Sequence, residues 1–94
     1  MIIVRDVFRA KYGKGGELVE LLKAAQQDMP RSFTRILSDA SGPFFTIVTE
    51  LEVASLADWE NLMKKVFADP KFGQWFVQMV SLVESGRREF YNVE

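Results

Sequence analysis

The hydrophobic period of this chain changes at Gly13-Lys14-Gly15-Gly16, and that change restricts the folds open to it. Before the glycines, Ile2 to Lys11 is rich in β-branched and aromatic residues and holds no Gly or Pro. Read with a period of two, Ile2, Val4, Asp6, Phe8 and Ala10 share one face of a strand. Ile3, Arg5, Val7 and Arg9 share the other. After the glycines the period becomes helical. From Glu17 onward, Leu18, Leu21, Leu22, Ala25 and Met29 follow an i, i+3, i+4 rhythm. Glu17 and Glu20 sit where the positive end of a helix favours acids, and Pro30 ends it.

Two β-rich runs follow, Phe33 to Asp39 and Phe44 to Val53, around Ala40-Ser41-Gly42-Pro43. They read as a hairpin with a longer turn than the Asn-Gly type. In the second run Phe45, Ile47, Thr49, Leu51 and Val53 point one way, and Phe44, Thr46, Val48, Glu50 and Glu52 the other. Ser55 and Asp58 resemble a shortened capping box before a helix carrying Leu56, Trp59, Leu62, Met63, Val66 and Phe67. Asp69-Pro70 reads as an N-cap followed by proline at the first position of a further helix. That helix carries Phe72, Trp75, Phe76, Met79, Val80 and Val83, with Gly86 as its C-cap. Arg87 to Val93 makes a short last strand. The order is strand, helix, strand, strand, helix pair, strand. This is the α+β, ferredoxin-like β-α-β-β-α(α)-β plan: a four-stranded antiparallel sheet with helices on one face.

At 94 residues the chain is a single domain, residues 1–94, with no internal repeat or linker. Its net charge is −1 and its Lys and Arg are scattered, so nucleic acid is not an expected partner. The third-strand run Phe44-Phe45-Thr46-Ile47-Val48 lacks the basic-glycine pattern of an RNA-binding RRM. There is no Cys and no His. That excludes disulfides and zinc sites built from those residues, removes the usual proximal haem ligand, and leaves no metal or cofactor expected. No apolar run approaches membrane-span length, and Arg5 and Asp6 interrupt the N-terminal apolar stretch too early for a signal peptide. A cytoplasmic protein without membrane contact is the expectation.

The sheet face away from the helices carries Ile3, Val7, Phe44 and Val48 among Arg5, Arg9, Thr46 and Glu50. Four large apolar groups on an open face suggest a covering partner. Covering roughly 400 Å² at ~25 cal/mol per Å² contributes about 10 kcal/mol before entropy costs. A homodimer through this face is therefore expected. Arg5, Arg9, Arg35 and Glu50 would form a charge network inside it that sets register more than stability. The alternative is a monomer with a mixed sheet face.

In this order the chain resembles the dimeric α/β-barrel superfamily, which includes antibiotic-biosynthesis monooxygenases, haem-degrading monooxygenases and NIPSNAP-like proteins. The resemblance rests on Val7-Phe8-Arg9-Ala10-Lys11-Tyr12-Gly13-Lys14-Gly15, on Leu18 to Leu22, and on Asp58-Trp59 followed by Phe67-Ala68-Asp69-Pro70. It implies a dimeric α/β barrel and a ligand held between sheet and helices. The polar strand-one position of that family matches Asp6, where haem-degrading members carry Asn, and Trp59 matches the helical aromatic. The family's His has no counterpart, which speaks against haem degradation.

Asp6 is the most informative residue. A carboxylate on the face that meets the helices must be hydrogen-bonded, paired or solvated. It is either a general base or polar anchor in a cleft, or a structural carboxylate satisfied by Arg88, Asn92 or a helix terminus. Trp59, Phe72, Trp75 and Phe76 either floor a pocket for a flat apolar molecule or pack as ordinary core. Tyr91 and Asn92 either contact a ligand at the cleft mouth or lie on the surface. Arg87-Arg88 is too short a basic run to mark an anionic partner. Three functions fit: a homodimer binding a small apolar molecule, a cofactor-independent monooxygenase in which Asp6 deprotonates an electron-rich aromatic, and a structural or regulatory dimer without ligand.

Overall fold

The structure is a computed structural model, and residues 1–28 and 33–94 are described. Its elements are β1 (Ile2–Ala10), α1 (Gly15–Asp28), β2 (Arg35–Ser38), β3 (Thr46–Val53), α2 (Leu56–Ala68), α3 (Phe72–Leu82) and β4 (Val83–Asn92). The sheet order is β2-β3-β1-β4, with every pairing antiparallel. This is the ferredoxin-like plan. Met29 and Pro30, the expected last core position and stop of α1, lie outside the described residues. No helix among the described residues is long and apolar enough to cross a membrane.

The core lies between the sheet and the helices. Ala10 of β1, Leu18 and Leu22 of α1, Ile47 of β3 and Met79 of α3 are buried together with Phe33. A second cluster joins Ala25 to Met63 and Val66 of α2. The Trp75 indole N–H donates to the Leu21 carbonyl at 3.3 Å and so ties α3 to α1. At the start of α2, Ser55 Oγ accepts the Asp58 N–H at 3.2 Å, the bond an N-cap makes with the third helical residue.

Four local readings are corrected by the structure. α1 begins at Gly15 rather than Glu17: the Lys14 carbonyl accepts the Leu18 N–H at 3.0 Å and opens the first turn, and Gly15 lies against Phe45, whose Cδ1 would stand 3.1 Å from a Cβ there. β3 begins at Thr46: Phe45 turns left-handed with φ 60°, so Phe44 leaves the sheet face and is 63% exposed beside Tyr12. Asp69 caps a turn rather than opening α3 directly; its Oδ1 accepts from Lys71 N at 2.8 Å, and the helix starts at Phe72. Gly86 is not a helix cap. Helix α3 stops at Leu82, whose carbonyl accepts Lys11 N–H, and Val83 already pairs with Ala10. Gly86 instead lies opposite Phe8, where a Cβ would meet Phe8 Cδ1 and the Val7 carbonyl oxygen at 3.3 Å.

The open sheet face is also more polar than its sequence suggests. Val7 and Val48 are only 8% and 7% exposed within one chain, because long charged side chains flank them. A ladder of ion pairs crosses the four strands. Arg35 Nη2 lies 2.6 Å from Glu50, Arg5 bridges Glu50 and Glu89 at 3.8 and 3.7 Å, and Arg87 Nε donates to Glu89 at 3.1 Å.

Candidate functional site

Period-two alternation places Asp6 and Phe8 of β1 on the helix side, and antiparallel register sets Arg88 of β4 directly across from Asp6. Two bonds join the pair. Arg88 Nε donates to Asp6 Oδ1 at 2.6 Å and Nη2 donates to Oδ2 at 3.0 Å. The carboxylate side chain is 10% exposed and the guanidinium side chain 39%. Such a bidentate pair fixes both groups in one plane. The other side of the guanidinium rests over the Trp59 ring, 5.0 Å from its centroid, and Trp59 in turn packs edge-on against Phe90 at 5.1 Å.

This pair forms the polar end of a cleft of about 210 Å³ between sheet and helices. Its apolar walls come from Phe8 on β1, Met63, Val66 and Phe67 on α2, and Phe72, Trp75, Phe76 and Met79 on α3. Phe72 holds the rim in place. It meets Phe67 edge-on at 5.1 Å, stacks on Phe76 at 5.7 Å and 24°, and faces Trp75 at 6.0 Å. Phe67 and Phe76 are exposed and stand at the mouth. A cavity of roughly 150 Å³ is enough for benzene, so this space suits one ring with a short substituent.

Of the residues singled out in the sequence, Asp6, Phe72, Trp75 and Phe76 come together around this cleft. Trp59 does not line it; it supports Arg88 from behind. Tyr91 pairs with Ile3 and so lies on the opposite sheet face, and Asn92 sits exposed at the end of the sheet opposite Ile2. Met63 and Met79 were visible in the sequence only as core positions of their helices. Arg88 carried a clearer signal: alternation along β4 puts a cation on the face where an apolar residue would be expected.

Among the described residues no group of three or more acidic side chains is arranged to hold a metal ion. The cleft offers instead one acceptor pair, already engaged, and guanidinium N–H donors beyond the two that Asp6 takes.

No protein-family profile matches the chain, and no curated protein matches it in sequence. Solved structures do match in shape. An uncharacterized NIPSNAP-like domain protein from Burkholderia xenovorans superposes with a TM-score of 0.88 at 12% identity, covering 99% of this chain and 84% of that one. A NIPSNAP family protein of unknown function from Agrobacterium tumefaciens gives 0.84 at 17% identity, over 97% and 86% of the two chains. A candidate antibiotic biosynthesis monooxygenase from Deinococcus radiodurans gives 0.69 at 18% identity, over 100% and 93%. Identities this low speak for the fold and not for an activity. The chain thus has the ferredoxin-like fold found in NIPSNAP-domain and antibiotic biosynthesis monooxygenase-like proteins.

Proposed function

We propose that the cleft binds a small, largely apolar molecule, a single ring whose polar substituent meets the Asp6–Arg88 pair. One observation carries this reading: a bidentate ion pair at the polar end of an otherwise apolar cleft with an open aromatic rim. A buried ion pair adds little net stability, and apolar residues of the same volume would pack there as well or better. Its use is to orient something, and the remaining Arg88 donors point to a hydroxyl or carbonyl oxygen on the ligand. Thermal unfolding with 4-ethylphenol tests this. The midpoint should rise with ligand concentration in the parent and rise less in Arg88→Met. No rise with any single-ring phenol at millimolar concentration would count against it.

A cofactor-independent monooxygenase is the second reading, favoured by the fold shared with a candidate antibiotic biosynthesis monooxygenase and by a carboxylate in the cleft. In it Asp6 would take a proton from an electron-rich aromatic. Both Asp6 oxygens already accept from Arg88, which fits an anchor better than a base. Turnover abolished in Asp6→Asn, with binding kept, would reverse that preference.

The uncovered sheet face, we infer, seats a second copy of the chain. Helices cover the sheet on one side only, and Ile3 and Leu37 are half-buried on the bare side. Light scattering across a dilution series should give twice 10.8 kDa; a stable monomer at micromolar concentration would rule the dimer out.

A further inference from the structure

The charge balance of the cleft decides which form of a ligand it can hold. Among the described residues of its wall, Asp6 and Arg88 are the charged ones, and the rest are Phe, Met, Val and Trp side chains. The pair is neutral as a unit, because both Asp6 oxygens accept from Arg88, at 2.6 and 3.0 Å.

No packed element brings further charge to this point among the described residues. Across from Asp6 on β3 stands Thr49, buried and uncharged. Arg87 and Glu89 flank Arg88 along β4, but they lie opposite Val7 and Arg5 and so face away from the cleft. There Arg87 Nε donates to Glu89 at 3.1 Å. On α2 the charged residues, Asp58, Glu60, Lys64 and Lys65, are all exposed, and Lys64 lies 3.8 Å from Glu60. Helix α3 carries no charged residue.

A charged ligand head would therefore stand in the cleft uncompensated. An oxyanion would leave one net negative charge between aromatic and aliphatic walls, and an ammonium one net positive charge. Taking such a charge out of water without a free counter-ion is disfavoured far more strongly than burying a neutral polar group. A neutral head gives up only its hydrogen bonds to water, and the pair can replace them. The guanidinium keeps N–H donors beyond the two in use, and the carboxylate oxygens keep lone pairs.

We infer that the cleft selects uncharged ligands, and that Asp6 sets this selectivity by cancelling the charge of Arg88. The inference rests on the cleft being a ligand site, as proposed above; it adds the charge class of the ligand and makes Asp6 a specificity determinant. Arg88 alone would make the same cleft a site for aromatic oxyanions.

Calorimetric titration of the full chain at neutral pH with 4-ethylphenol, 4-ethylbenzoate and 4-ethylbenzylammonium tests it. These ligands share one ring and one tail and differ in the charge of the head. The benzoate and the ammonium should each bind on the order of tenfold more weakly than the phenol, or weaker still. In Asp6→Asn the cleft keeps the Arg88 charge alone, so the benzoate should gain on the phenol by on the order of tenfold and the ammonium should not. Head size is the same in both proteins, so that reversal isolates charge. A benzoate or ammonium that binds the parent as tightly as the phenol would overturn the inference and leave the cleft standing as a binding site. So would a folded Asp6→Asn protein whose preference is unchanged. Binding by none of these ligands would remove the reading of the cleft itself, and the inference with it.

Discussion

Replacing Arg88 by Met separates what the Asp6–Arg88 pair does for stability from what it does for binding. The substitution keeps a long apolar stem against Trp59 but leaves the Asp6 carboxylate without either of its two charge-assisted bonds. Breaking a fully buried pair from one side costs about 3–5 kcal/mol, because the remaining charge stays desolvated. Here the Asp6 side chain is 10% exposed and the Arg88 side chain 39%, so water reaches one partner and the loss should be smaller, roughly 2–3 kcal/mol. For a domain of this size that lowers the unfolding midpoint by about 10 °C or more. The double variant Asp6→Val with Arg88→Met removes both charges. It should return to within ~1 kcal/mol of the parent, since well-packed apolar groups often replace a buried ion pair without loss. Urea unfolding followed by tryptophan fluorescence, at one fixed protein concentration, measures all three proteins; a common slope shows that the same surface is exposed in each. A double variant as unstable as the single one would refute the reasoning, because an unpaired buried carboxylate could not then be the cause. Both variants should respond less to 4-ethylphenol than the parent does, even where stability is restored.

Gly86→Ala should destabilise by about 1–3 kcal/mol in the same urea assay, because its Cβ would press on the Val7 carbonyl oxygen, which belongs to a paired strand and has little room to move. An unchanged midpoint would show that the β1–β4 contact is looser than it stands. Glu89 supplies an acid-side slope. Arg87 first, then the Tyr91 side chain and, least, Arg5 lower its folded-state pKa below the ordinary 4.5, so its contribution is present above that value and fades as pH falls toward the folded value. Stability measured from pH 6 to pH 3 should therefore fall less steeply in Glu89→Gln than in the parent; parallel curves would refute the assignment.

The plan of the fold was legible because each element announces its own period. β1, α1 and α2 stand where alternation and helical spacing put them, and Ser55 caps α2 as its residue type suggests. The failures share a cause. Val80 and Val83 continue the helical rhythm of α3, so a helix running to Gly86 is locally consistent; only pairing with the far end of β1 ends it at Leu82. Phe44-Phe45 reads as strand by propensity, but the left-handed turn at Phe45 that packs its ring against Gly15 is a tertiary requirement. Asp6 was legible as a carboxylate out of place on an apolar face. Its partner was left open among Arg88, Asn92 and a helix terminus, because the choice depends on the register of a strand 82 residues away.

That register decides more than one contact. Val83 pairs with Ala10 while Ser85 pairs with Arg9, so Glu84 is accommodated as an irregularity at this end of the β1–β4 ladder. From there on, period-two alternation sends the adjacent arginines to opposite faces. Arg88 goes to Asp6 in the cleft, and Arg87 goes to the bare sheet face with Arg5 and Arg9. A slip by one residue would exchange them, placing Arg87 against the carboxylate and removing its side chain from the bare face. It would also move Gly86 from its place opposite Phe8, where a Cβ would press on the Phe8 ring and the Val7 carbonyl oxygen at 3.3 Å. Gly86 and the irregularity at Glu84 therefore hold both faces of the sheet in one register. Arg87-Arg88 is too short a basic run to mark an anionic partner, yet alternation gives its two residues different carboxylates on different faces, Asp6 for Arg88 and Glu89 for Arg87.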